Sequence, residues 1–168
     1  CQSKLRERST FRNKYSELQQ NNPNKPIEST LAISKPAQKH AKFDLIVIGA
    51  STGGPGCLQQ ILQNLPANFP VPIVVAQHMP ARFTEVFSKR LHSLCQLMVT
   101  EILDTTVLKA GQIYIVRGDG DIEFSTQGGN ILAKPMPIDK NFVWHPSVSK
   151  MVLSAMNTLP SERLMCVQ

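Results

Sequence analysis

Phe43–Pro80 reads FDLIVIGASTGGPGCLQQILQNLPANFPVPIVVAQHMP, and the order of its apolar runs and glycines decides the fold. Phe43–Ile48 is a β-branched run with almost no polar alternation, which is how a strand buried on both faces reads. It stops at Gly49. The segment Gly49–Gly56 is rich in glycine, and Cys57–Leu62 then places apolar residues at helical spacing. A second buried run, Val71–Ala76, ends in Gln77-His78-Met79-Pro80. Strand, tight turn, helix and strand make a βαβ unit, whose right-handed crossover brings both strand ends to one edge of a parallel sheet. Ser51 and His78 each follow the carboxyl end of a strand, where open α/β sheets carry their sites. They are 27 residues apart in sequence and are expected to be neighbours in space.

Gly49-Ala50-Ser51-Thr52-Gly53 fits G-x-S-x-G, the sharp strand-to-helix turn that lifts a serine hydroxyl out of a sheet. Glycine is needed there because the backbone is strained and a neighbouring side chain would collide with strand or helix. The helix that follows offers unpaired N–H groups and a positive dipole end to a developing oxyanion. Two readings compete: a tight connection without chemistry, and a phosphate cradle. Neither nucleotide fingerprint fits, since the lysine of one is missing and Ala50-Ser51 break the first glycine pair of the other. His78 is the natural partner of Ser51, because imidazole can take the serine proton near neutral pH and return it to a leaving group. The order, serine then histidine after a short gap, is not that of α/β-hydrolases, which place an acid between them. The chain is therefore a serine hydrolase of another topology, or not a hydrolase.

Four segments, DLIVIGASTGG, AQHMPARFTEVFSKRL, GQIYIVRGDGD and HPSV, occur in that order from Asp44 to Val148. Together they closely resemble the catalytic domain of the chemotaxis protein-glutamate methylesterases, the CheB family, over the whole stretch from Phe43 to the last residue. The resemblance implies that Ser51 is the nucleophile and His78 the general base. It also implies that Thr52 supports the histidine and the oxyanion region. The reaction implied is removal of methyl esters from glutamate side chains of chemotaxis receptors, with deamidation of receptor glutamines as the same displacement. The implied partners are methyl-accepting chemotaxis receptors and an upstream phosphate-accepting receiver domain, in the cytoplasm, with no cofactor or metal. The family's third triad member is an aspartate in a Gly-rich turn after a late strand. Leu164–Gln168 resembles that strand, so the domain is expected to be truncated, lacking the aspartate and marginal in stability by itself. His145-Pro146-Ser147-Val148 also departs from the family pattern, with Trp144-His145 before the proline and Ser149 where an aspartate is usual. These departures leave an alternative open, a non-catalytic receptor-binding or regulatory relative.

The overall class expected is α/β, a doubly wound, mostly parallel sheet with a β-hairpin, incomplete at its C-terminus. Residues 43–168 make the catalytic domain, and residues 1–42 a basic flexible linker. The linker holds nine Lys/Arg against three Asp/Glu and so accounts for the entire formal charge of +6. The domain itself is neutral, and the basic balance implies no nucleic-acid partner. No apolar run near the start reads as a signal peptide and none approaches the ~20 residues of a membrane span, so no membrane insertion is expected.

Farther along, Phe83–His92 reads as an amphipathic helix with Phe83, Phe87 and Leu91 as a core stripe and His92 exposed. Leu97–Ile102 and Gln112–Val116 read as strands, and Gly128-Gly129 as a hairpin turn. Asp119 and Asp121 lack the spacing of a calcium loop and are assigned to a hairpin turn. Ser147 is the expected cap of a helix through Val152, Leu153 and Met156. The four cysteines lie far apart, and Cys57, Cys95 and Cys166, set in apolar patterns, are expected as buried free thiols.

Overall fold

The structure, a computed structural model, describes residues 42–168. The linker reading of the preceding residues lies outside them, as does Cys1. Five parallel strands form the main sheet: β1 (Leu45–Ala50), β2 (Ile73–Gln77), β3 (Met98–Ile102), β5 (Gln112–Val116) and β8 (Leu164–Val167). Their order across the sheet is β3-β5-β2-β1-β8. A second, three-stranded sheet joins the short strand β4 (Thr106–Val107) to the hairpin of β6 (Asp121–Gln127) and β7 (Asn130–Met136), all pairs antiparallel. The hairpin turn uses Gly128 and Gly129, both at positive φ (57° and 79°), as a two-residue turn matched to strand twist requires. The α/β class with a mostly parallel sheet and a hairpin is the architecture observed.

Alternation along the strands divides the core between two faces. Ile46, Ile48, Ile73, Val75, Ile113 and Ile115 point to the face covered by α1 (Gly54–Leu62) and α2 (Ala81–Leu94), where they meet Leu58, Leu62, Phe87 and Leu91. Leu45, Val47, Val74, Ala76, Tyr114 and Val116 point to the other face. That side is covered by Val148, Met151 and Ala155 of α3 (Val148–Thr158) and by Ile122, Phe124 and Ala133 of the hairpin sheet. Burial on both faces is why the sheet strands read as continuous apolar runs. Each Val, Leu, Ile, Phe or Met side chain among them contributes about 1.5–3 kcal/mol on leaving water. Polar bonds tie α3 to the hairpin: the Phe124 amide donates to Ser154 Oγ (2.8 Å), and Thr158 Oγ1 donates to the Phe124 carbonyl (3.0 Å). At the amino end of the sheet the Arg163 guanidinium forks onto the Asp44 carboxylate, one arm at 2.8 Å, and the Asp44 amide donates to the Arg163 carbonyl.

Two sequence expectations are corrected. Phe83 is 47% exposed and is not core; the buried face of α2 is Thr84, Phe87, Ser88 and Leu91. Thr84 Oγ1 donates to Glu101 Oε1 (2.6 Å) and Ser88 Oγ to the Glu85 carbonyl (2.8 Å), so both hydroxyls are buried already satisfied. The buried stripe is rotated accordingly, and the Phe83 ring lies under the Arg82 guanidinium, 4.7 Å from its centroid. The thiols are the second case. Cys57 and Cys166 are exposed and Cys95 is half-buried. On α1 the sheet takes Gly54, Leu58 and Leu62, leaving Cys57 on the open side, and Cys166 lies on the strand at the end of the sheet order. His92 is exposed, as read, and its Nδ1 accepts from the Val99 amide at 3.2 Å. Among the described residues no helix is long and apolar enough to cross a membrane.

Candidate active site

Ser51 follows β1 and His78 follows β2, so the parallel pairing of Ala50 with Gln77 sets the two residues side by side. The His78 amide donates to the Ala50 carbonyl at 2.9 Å, continuing the ladder one step past the strand. Side chain meets side chain at the edge: Ser51 Oγ lies 3.2 Å from His78 Nδ1. With Nδ1 as acceptor, the hydroxyl donates to it, which is the geometry a general base needs. Both residues line an open cleft of about 480 Å³ together with Thr52, Gly53, Cys57 and Val167. Thr52 is exposed in that cleft beside the pair.

The Ser51 turn is held by backbone geometry. Gly53 caps α1 at φ 79°, a left-handed conformation that disfavours any other residue. The Gly54 amide donates to the Ser51 carbonyl at 2.9 Å, and Gln77 Nε2 donates to the same oxygen at 2.9 Å. Gln77 is 2% exposed, and its Oε1 occupies the space a Cβ on Gly54 would need, 2.1 Å away. A carboxamide at the end of β2 thus grips the Ser51 turn that follows β1. The only trace of Gln77 in the sequence is a lone amide closing an otherwise apolar buried strand. The helix dipole end at Gly53–Gly54 faces the same cleft and favours negative charge there.

The His78 turn is set by a second close approach. A Cβ on Gly118 would stand 1.9 Å from the Met79 carbonyl oxygen and 2.6 Å from the Ala81 amide nitrogen, so only glycine lets the end of β5 reach the His78–Ala81 bend. The Gly118 amide donates to Thr84 Oγ1 at 3.3 Å, a link from that end to α2. On its outer side the His78 imidazole stacks with the Trp144 indole, centroids 6.1 Å apart and planes 26° from parallel.

Asp119 pairs with Arg117 in the turn before β6 (2.8 Å), as a turn residue would. Asp121 does something else. It opens β6 with its side chain fully buried, and accepts from His145 Nδ1 (2.9 Å), the Ser147 amide (2.8 Å) and the Asp139 amide (2.9 Å). Burial pushes its carboxyl up, but those three hydrogen bonds outweigh it and hold the group below its ordinary 3.8. Ser147 caps α3 as expected, its Oγ accepting from the Lys150 amide at 3.2 Å. Among the described residues no cluster of His, Cys, Asp or Glu is arranged to hold a metal ion.

A family model described as CheB methylesterase matches residues 46–168. The chain is similar to a protein-glutamate methylesterase/protein-glutamine glutaminase 3 of Rhodospirillum rubrum, 44% identical over 132 residues, or 79% of this chain and 36% of the relative. A protein of the same name from Vibrio cholerae is 45% identical over 130 residues, 77% of this chain and 36% of that one. The fold is similar to the crystal structure of the Thermotoga maritima CheB methylesterase catalytic domain, with a TM-score of 0.70 and 37% identity, covering 75% of this chain and 66% of that one. The chain spans about a third of the length of these curated relatives.

Proposed function

The chain belongs to the CheB methylesterase family, and from that premise we propose that Ser51 and His78 are the nucleophile and general base of a protein-glutamate methylesterase. The observation that carries this is the 3.2 Å approach of Ser51 Oγ to His78 Nδ1 at the carboxyl edge of a parallel sheet. Ser51 Oγ attacks the γ-carbonyl carbon of a methylated glutamate while His78 takes the hydroxyl proton. The backbone N–H groups that open α1, with Thr52 beside them, stabilise the oxyanion. Collapse expels methanol, which receives its proton from His78, and water then hydrolyses the acyl-enzyme by the same route. A glutamine substrate follows the identical path with ammonia leaving, and the relatives carry both activities in their names.

The substrates proposed are methyl-accepting chemotaxis receptors, met in the cytoplasm, with a receiver domain upstream as the regulating element. The acid that orients His78 is, on the family resemblance, an aspartate in a Gly-rich turn following a strand like β8. The topology supports this placement: β8 runs parallel to β1, and Val167 and Gln168 at its carboxyl end line the same cleft as Ser51 and His78. Ser51→Ala in the full-length protein should abolish methanol release from methylated receptor membranes, and retained turnover would end the serine-nucleophile reading. The non-catalytic alternative rests on the departures at Trp144, His145 and Ser149. It predicts receptor binding without methanol release from either the wild-type or the Ser51→Ala protein.

A further inference from the structure

Trp144, the one tryptophan of the 168 residues, is 68% exposed yet lays its ring along His78. An indole left mostly in water forgoes the burial that large aromatics ordinarily supply. Its position answers to a contact, not to the core. The loop that carries it is fastened from beneath by Asp121. The Asp139 amide and the Ser147 amide, one on each side of Trp144, both donate to that one buried carboxylate. His145, the next residue, sets Nδ1 2.9 Å from Asp121 Oδ1 and Nε2 3.1 Å from the Phe142 carbonyl oxygen. The ring is thus held at both of its nitrogens. A tryptophan on a loose loop would lose chain and rotamer freedom each time it stacked. Here that ordering is built in before the ring is met.

We propose that Trp144, clamped through Asp121, is a positioning residue for His78, holding the plane of the imidazole so that Nδ1 stays directed at Ser51. The inference rests on the reading of Ser51 and His78 as nucleophile and base. The Ser51 bond fixes the ring at one atom, and the ring can still swing about that point. An offset-stacked neighbour limits the swing. An aromatic stack of this kind corresponds to about two- to tenfold in rate.

The test is the rate at which a fluorophosphonate probe labels the full chain, read alongside tryptophan emission. Trp144→Ala should slow labelling about two- to tenfold without moving the urea unfolding midpoint, and Trp144→Phe should restore most of the rate. Asp121→Asn should slow labelling to a similar degree, and Trp144→Ala added to it should slow it little further, as coupled sites do. His78→Gln should change the emission of the folded protein, because the indole loses its imidazole neighbour. Wild-type labelling by Trp144→Ala, or emission indifferent to His78→Gln, overturns the inference while leaving the nucleophile reading intact. Labelling that survives Ser51→Ala overturns the nucleophile reading, and this inference with it.

Discussion

His78 is held between two pieces of chain that work by different physics. On one side the Gly49–Gly54 turn is short and stiff, its shape set by Gly53 in a left-handed conformation and by a Gly54 that leaves room for Gln77. On the other side the segment from Asp139 to Ser147 has little regular structure and is shaped by donors converging on the Asp121 carboxylate. The first arrangement is steric and indifferent to pH. The second is electrostatic and weakens if one carboxylate is protonated. A site built this way has a rigid Ser51 side and a conditional outer wall.

The strongest way to break that contrast is to move, by steric force, the bend that carries His78 between the two. Gly118→Ala forces its Cβ against the Met79 carbonyl and the Ala81 amide, backbone atoms that cannot step aside, so the bend bearing His78 must move. The expected cost is about 3 kcal/mol in urea unfolding, with up to about a hundredfold in turnover from the displacement of His78. Normal kinetics in that variant would show that the position of His78 does not depend on the close approach of Gly118.

The electrostatic side predicts a pH signature. Asp121 is held below its ordinary 3.8 in the folded protein, so its contribution to stability is complete above about pH 4 and is lost as pH falls through the depressed value. Asp121→Asn should be less stable than wild type by about 1–3 kcal/mol near neutrality, and the gap in urea midpoint should narrow below about pH 4. That window lies under the range in which imidazoles change charge. A gap unchanged at the acid end would mean that the amide does the work of the carboxylate.

The smallest effect concerns a residue that neither side uses for support. Cys57 is exposed in the cleft, so Cys57→Ser should change stability by no more than about 0.5 kcal/mol. An Ellman titration of the folded chain should modify Cys57 and Cys166 ahead of the half-buried Cys95.

The steric side was open to reading from residues alone, because its determinants are local. Two apolar runs, a G-x-S-x-G turn and a histidine after the second run lie within one βαβ unit, and parallel pairing does the rest. The conditional wall left no such trace. Asp121 looks like one more turn aspartate beside Asp119, and its donors lie 18 to 26 residues away. Phe83 misled for a related reason. Hydropathy favours a phenylalanine over a threonine for the core, yet Thr84 is buried because Glu101 accepts its hydroxyl proton. The neighbours of Cys57 and Cys166 in sequence are apolar, whereas their exposure depends on which face α1 presents and on β8 standing at the end of the sheet order. Long-range hydrogen bonding and helix phase are the two quantities that a local pattern does not contain.

The fork between Arg163 and Asp44 joins residues 119 apart in sequence, immediately before the first paired residues of β8 and β1, Leu164 and Leu45. It therefore works as an origin of coordinates. Side chains alternate along a strand, so an insertion or deletion of one residue in β8 is a phase error: it exchanges the environments of Leu164 and Met165 and shifts everything downstream by about 3.3 Å. With the origin pinned at the amino end, the position that Val167 takes in the cleft is a matter of counting residues. Substitutions along β8 can be tolerated one at a time; changes in its length cannot.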